Sequence, residues 1–236
     1  MNNTTFDRTS LRLSSILMVT GQVLYIVVTL FHAGGEANNH HAIFAAYADS
    51  RIWTAVHVAQ FGCMAIFLAG LYALFFALEV QAGLARWAGR FGAALAAVTL
   101  ALYGGVLAVD GVALKQAANA WTRAPEAEKT ARFATAEAIR WLEWGMRSYQ
   151  NFTLGLAVLL FAAAVVRTTW ISWPIAYLMG LSGLTYFVQG WVSGSEGFSR
   201  THTIAIVLAE VLNLTWMIWL VVVSRRMQPS ERVPPG

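Results

Sequence analysis

Six runs of roughly twenty predominantly apolar residues, about the length a helix needs to cross a bilayer, dominate this chain. They cover residues 13–33, 52–78, 91–114, 149–166, 170–193 and 203–223. Of the 236 residues, 58% are hydrophobic and only 12% are charged, whereas a soluble domain carries roughly a quarter charged residues. A globule of this length has too little interior to hide so much apolar surface from water, so lipid must solvate part of it. The ten tryptophans and seven tyrosines fit that setting, because amphipathic rings gather at headgroup level. The sequence therefore predicts an all-α membrane protein: a six-helix transmembrane bundle in one domain over residues 1–224, followed by a disordered cytoplasmic tail over 225–236.

The first run is longer than the apolar core of a signal peptide, so it is expected to remain as a span. Its end at Gly34-Gly35 is a suitable helix stop. Two connections are more than turns. Residues 36–51, with His40 and His41, predict a short interfacial helix between the first two spans. Residues 121–150 open on Pro125 and Glu126, a helix-start pattern, and continue through Glu128/Arg132 and Glu143/Arg147 at i,i+4 spacing. They predict an amphipathic helix running into the fourth span, with a bend near Gly145.

The net charge of +4 is spread between apolar runs rather than gathered in a patch, which argues against nucleic acid and for topology and contact with anionic headgroups. Arg8, Arg12, Arg86, Arg90, Arg167, Arg225, Arg226 and Arg232 fall on one side, opposed there only by Asp7, Glu79 and Glu231. The short-loop basic bias then places both termini in the cytoplasm.

All five histidines fall on the other, outer side. His32 closes the first span, His40 and His41 follow it, His57 lies early in the second and His202 opens the sixth. Asp110 lies late in the third. Helical spacing gathers polar residues into stripes: Ser15, Met18, Gln22, Tyr25, Thr29 and His32 in the first span; His57 and Gln60 in the second; Thr99, Tyr103 and Asp110 in the third. Ser182, Tyr186, Gln189, Ser193 and Glu196 form one in the fifth, and His202, Glu210 and Asn213 cluster in the sixth. Polar groups facing hydrocarbon would lack partners, so the stripes are expected to turn inward and enclose a cavity that opens outward and tapers toward Glu210. Carboxyls within spans are costly, which singles out Asp110 and Glu210. Each stripe also has a structural reading. Ser, Thr and Gln bond between helices, His40 and His41 meet headgroups or solvent, and Glu137 and Glu143 with their arginines form a solvated face. Lys115, five residues after Asp110, could pair with it. Gly190-x-x-x-Gly194 fits close helix packing.

The single cysteine, Cys63, rules out an internal disulfide and sits in an apolar run. No nucleophile elbow, phosphate-binding glycine loop, dinucleotide fingerprint or His-x-x-x-His pair is present. Histidines crowded toward one surface disfavour haem, and a twelve-helix transporter would need a homo-oligomer.

Several stretches resemble those of an uncharacterised family of bacterial multi-pass membrane proteins, a domain of unknown function. They are residues 31–35 (Phe-His-Ala-Gly-Gly), 108–115 (Ala-Val-Asp-Gly-Val-Ala-Leu-Lys), 141–144 (Trp-Leu-Glu-Trp), 186–190 (Tyr-Phe-Val-Gln-Gly) and 196–198 (Glu-Gly-Phe), with Glu210 and Trp219-Leu220 in the last span. The resemblance covers most of the chain from the first span onward. It implies a bacterial plasma-membrane location and a six-span fold, and it supplies no catalytic residues.

Three functions fit these residues. The leading one is binding or transport of a cation, metal or small polar solute, with His32, His57, Asp110 and His202 as ligands and Glu210 as a deeper acceptor. Imidazole with carboxylate suits a divalent transition metal, and the lack of thiolates argues against a soft one. The second is a membrane enzyme acting on a lipid-soluble substrate. The third is a non-catalytic partner subunit whose polar stripes serve packing.

Overall fold

The computed structural model describes residues 8–35, 38–78 and 82–227, and among them every regular element is helical. The helices are α1 (Arg8–Thr29), α2 (His40–Asp49), α3 (Trp53–Leu78), α4 (Gly83–Ala108), α5 (Lys115–Thr122), α6 (Glu126–Val165), α7 (Trp173–Glu196) and α8 (Arg200–Arg226). A π-helical segment, Val109–Leu114, joins α4 to α5 without a break. Five helices are long and apolar enough to cross a membrane: α1, α3, the continuous Gly83–Thr122 helix, α6 and α8. α7 has 24 residues but is not among these five. Large apolar side chains such as Val58, Phe76, Leu184, Val207 and Val211 are exposed around the outside, as a lipid-facing surface requires.

The long helices close on themselves: α3 packs on α1, α1 on α8, α8 on α7, α7 on α6, α6 on α4, and α4 back on α3. Small residues bring the tightest pairs together. A Cβ on Gly21 would stand 2.8 Å from the Cys63 carbonyl oxygen, so α1 and α3 touch backbone to backbone. At Gly190 it would stand 2.9 Å from the Ser148 carbonyl oxygen, and at Gly194 3.0 Å from Ser148 Oγ, so this glycine pair does serve close packing, of α7 on α6. At one end of the bundle Arg12 Nε donates to the Ser224 carbonyl at 3.2 Å, tying the start of α1 to the end of α8. At the other, the Asn38 amide donates to the Glu196 carbonyl at 2.7 Å and accepts from the Phe198 amide at 3.1 Å.

The element bounds differ from the sequence expectation where helices outrun the bilayer. α6 holds 40 residues, about 60 Å at 1.5 Å per residue, twice the thickness of a hydrocarbon core. It starts as expected, with Pro125 at its N-cap and Glu126 and Glu128 in the first turn. It remains helical through Gly145. Its first turns, α5, α2, the start of α3 and the end of the π segment share a second apolar core of Ile43, Phe44, Tyr47, Trp53, Leu114, Ala118 and Ala136. The short helix between the first two spans is therefore α2, started by Asn39, whose side chain accepts from the Ala42 amide. Arg225 and Arg226 close α8 rather than opening a tail. Residues 228–236, with the rest of the expected tail, and Asp7, Glu79, Glu231 and Arg232 of the topology argument lie outside the described residues.

Candidate functional site

A cavity of about 360 Å³ lies inside the ring, lined from α1, α2, α3, α4, the π segment, α6, α7 and α8. The polar stripes supply much of its wall: Gln22, Tyr25, Thr29 and His32 from α1 and the turn after it, Gln60 from α3, Gln189 from α7, and His202 and Glu210 from α8.

His32, His57 and Asp110 come together, each offering one ligand atom and these atoms all within 4.8 Å of one another. The local structure of each is specific. α1 ends at Thr29, and the turn that follows, with the His32 amide donating to the Thr29 carbonyl at 3.0 Å, swings His32 inward. His57 lies in the second turn of α3, where its Nδ1 is 2.8 Å from the Trp53 carbonyl oxygen. A carbonyl only accepts, so Nδ1 carries a proton and donates it, which leaves His57 Nε2 facing Asp110 Oδ2 at 3.1 Å. His32 Nε2 is 3.7 Å from the same oxygen. Asp110 is the second residue of the π segment, a wider turn than an α-helix makes. The Gly111 carbonyl accepts from the Trp53 indole at 2.9 Å. The rings of Trp53, His57, His32 and Tyr47 pack together at tilted and edge-on angles, with Trp53 4.4 Å from His57 and 4.2 Å from Tyr47 between centroids. His57 and Asp110 are 4% and 3% exposed, and Asp110 Oδ1 is buried without a hydrogen-bond partner among the described residues.

His202 does not join this group. It lines the cavity on α8, is packed edge-on against Phe198 at 5.1 Å, and its backbone amide donates to Ser199 Oγ. Of the four expected ligands, three come together as candidates and His202 stands apart. Glu210 accepts a short hydrogen bond from Gln22. Asn213 does not line the cavity; its amide donates to the Tyr186 hydroxyl at 2.6 Å, which ties α8 to α7, and accepts from the Trp216 indole within α8 at 3.2 Å. Gln60 donates to Thr29 Oγ1 at 3.2 Å and Gln189 to the Ala205 carbonyl at 3.3 Å, so both also bond between helices.

Three expectations for the flanking charges are corrected. Lys115 does not pair with Asp110: its ammonium donates to the carbonyls of Tyr47, Ala48 and Ser50 at 2.5, 3.0 and 3.0 Å. Those oxygens lie at the C-terminal end of α2, where a cation is favoured. His40 is packed into protein and bonds Glu137 at 2.8 Å, whereas His41 stacks on Phe133 at 4.1 Å and stays exposed. Glu143 is no solvated residue. It is 1% exposed, accepts from Arg140 Nη1 at 2.5 Å, and has Arg147 3.7 Å away. Arg140 also donates to the Tyr47 hydroxyl at 3.1 Å. Burial holds the Tyr47 phenol well above its usual range, against the lowering pull of Arg140, so it remains a neutral hydrogen-bonding group. Arg140, Glu143 and Arg147 all line the cavity, and reasoning from sequence missed them as site residues, together with Trp53 and Tyr47. The available signal was the setting of Arg140, Glu143 and Arg147 among Trp141, Leu142, Trp144 and Met146, an apolar company unlike a solvated face.

No family model, no curated protein and no solved structure matches the chain.

Proposed function

We propose that this is a six-span protein of the bacterial plasma membrane whose interior cavity takes a divalent transition metal on His32, His57 and Asp110, for binding or for transport. The observation that carries the metal reading is the fixed orientation of His57. Its Nδ1 proton is committed to the Trp53 carbonyl, so in the neutral ring a lone pair on Nε2 meets a carboxylate oxygen at 3.1 Å. Two such atoms repel unless a positive centre joins them. A metal suits the surroundings better than a proton alone. His32 is a third donor to the same point, and Asp110 keeps an unpartnered oxygen. Ligand atoms at about 2.0–2.1 Å around a tetrahedral ion stand roughly 3.3 Å apart, near the observed nitrogen–oxygen separations of 3.1 and 3.7 Å. An imidazole whose other nitrogen donates to a carbonyl is the usual support of a metal-ligating histidine.

Parity supports the six-span count. The start of α1 and the end of α8 meet at one end of the bundle, so the number of crossings between them is even. Adding α7 to the five strongly apolar helices gives six. α7 carries the polar stripe against its neighbours instead of lipid, which accounts for its weaker apolar character. The basic residues near the bundle end shared by α1 and α8 support a cytoplasmic location for that end.

The test is elemental analysis of detergent-purified protein. Wild type is expected to retain a divalent transition metal approaching one per chain, and His57→Ala and Asp110→Ala to lose it. Equal metal content in all three proteins would sink the reading.

A further inference from the structure

The same cavity holds a second polar group that the metal does not use. Arg147, on α6, lines it with four-fifths of its side chain buried. Its Nε is buried without a hydrogen-bond partner among the described residues. The nearest carboxylate oxygen, Glu143 Oε1, stands 3.7 Å away, beyond hydrogen-bond length. Glu143 is instead committed to Arg140 through its other oxygen. One carboxylate thus faces two guanidiniums, and it is Arg147 that goes short. A guanidinium has five donors, and a buried charge without hydrogen bonds is costly.

Two amides lie beside it in sequence and also reach the cavity. Gln150 and Asn151 are 2% and 6% exposed and line the cavity, and neither side chain hydrogen-bonds to another described residue. Buried polar side chains are nearly always hydrogen-bonded, so these donors point to a ligand. Charge decides its sign. The cavity wall carries two arginines and three carboxylates, Asp110, Glu143 and Glu210. A divalent ion at the histidine site leaves one positive charge to balance. Part of the remaining wall, at Met64, Phe67, Leu154 and Ile206, is apolar.

We propose that Arg147, with Gln150 and Asn151, forms an anion site for a small organic monocarboxylate, which shares the cavity with the metal and balances its charge. The guanidinium fork matches a carboxylate in shape, and the apolar wall takes the organic part. The charge balance rests on the metal reading; the unpartnered donors do not.

The test is calorimetric titration of the zinc-loaded, detergent-purified protein with benzoate and with benzamide, its neutral isostere, with zinc content measured on the same samples. Benzoate is expected to bind at least tenfold more tightly than benzamide. Arg147→Gln is expected to abolish that preference while zinc content stays at the wild-type level. Should Arg147→Gln fail to fold, Arg147→Lys keeps the charge, loses the fork, and is expected to weaken benzoate at least tenfold. Equal binding of benzoate and benzamide by protein that holds zinc overturns the anion site and leaves the metal reading standing. Wild-type protein that takes up no zinc yet binds benzoate through Arg147 overturns the metal reading and upholds the anion site.

Discussion

Trp53 supports the histidine–aspartate group from two of its atoms. Its indole donates to the Gly111 carbonyl in the π segment, and its own carbonyl receives the His57 Nδ1 proton. Trp53→Phe keeps the carbonyl and the ring but cuts the tie to the segment that carries Asp110. Loss of such a supporting bond lowers metal affinity by roughly 10–100-fold, measurable by competition with a zinc chelator; an unchanged affinity would show that the tie to Gly111 does not position the site. Glu143 is a second residue on which much depends. It is the carboxylate partner of Arg140, which is itself 4% exposed. Glu143→Gln leaves a buried guanidinium without its counter-charge, a change that costs about 3–5 kcal/mol. A clear fall in the detergent-solubilised melting temperature is expected. Its absence would mean that water reaches Arg140. Single residues were unevenly legible in the sequence. Asp110 stands out because a carboxyl within a span is costly, and His32 and His57 because they fall at the same end of their spans as Asp110. Opposite charges at i,i+4 usually sit on wet helix faces, so the sequence points to a solvated Glu143 and Arg147 pair. What buries them is tertiary: Tyr47 from α2 and Phe198 from the α7–α8 link lie against Arg140, the Phe198 ring 4.5 Å from its guanidinium.

At the scale of elements, the π segment positions the site. Spacing of three and four residues placed Thr99, Tyr103 and Asp110 on one buried face, and the structure buries all three. The wider turn that begins at Val109 leaves no mark in composition, so the bond from Trp53 to its Gly111 carbonyl could not be foreseen. Lys115 was misassigned for a related reason, since the carbonyls that hold it belong to α2, whose packing is not written in α2's own sequence. Gly111 is where the segment touches α3. A Cβ there would stand 3.0 Å from the His57 ring at Cγ and Cδ2, closer than van der Waals contact allows. Neither that ring nor the helix behind it yields easily, because Trp53 and Asp110 hold the imidazole on its other sides. Gly111→Ala is therefore expected to lower zinc content while the protein still elutes as a folded species from a sizing column. Full zinc retention would show that His57 can move without loss of the site.

At the scale of the whole molecule, the closed ring of helices makes α7 the element on which topology turns. It lies between α6 and α8 and buries Ser182, Tyr186, Gln189 and Ser193, so its polar stripe is inside the ring. If α7 crosses the membrane, the α6–α7 link at Thr168 and the α7–α8 link at Ser199 lie on opposite sides. If it does not, they lie on the same side, and α8 must then cross in the reverse sense, which would separate Ser224 from Arg12 by a full bilayer instead of the observed 3.2 Å. Single cysteines at 168 and 199 on a Cys63→Ala background decide between these cases. A membrane-impermeant maleimide added to intact cells is expected to label position 199 and to reach 168 only after the membrane is opened. Position 124, in the link between α5 and α6, is expected to label with 199, because Asn38 beside α2 ties the α7–α8 link to that same end. Labelling of 168 and 199 from one side would remove α7 from the set of spans and, with it, the enclosed cavity on which both proposed binding sites depend.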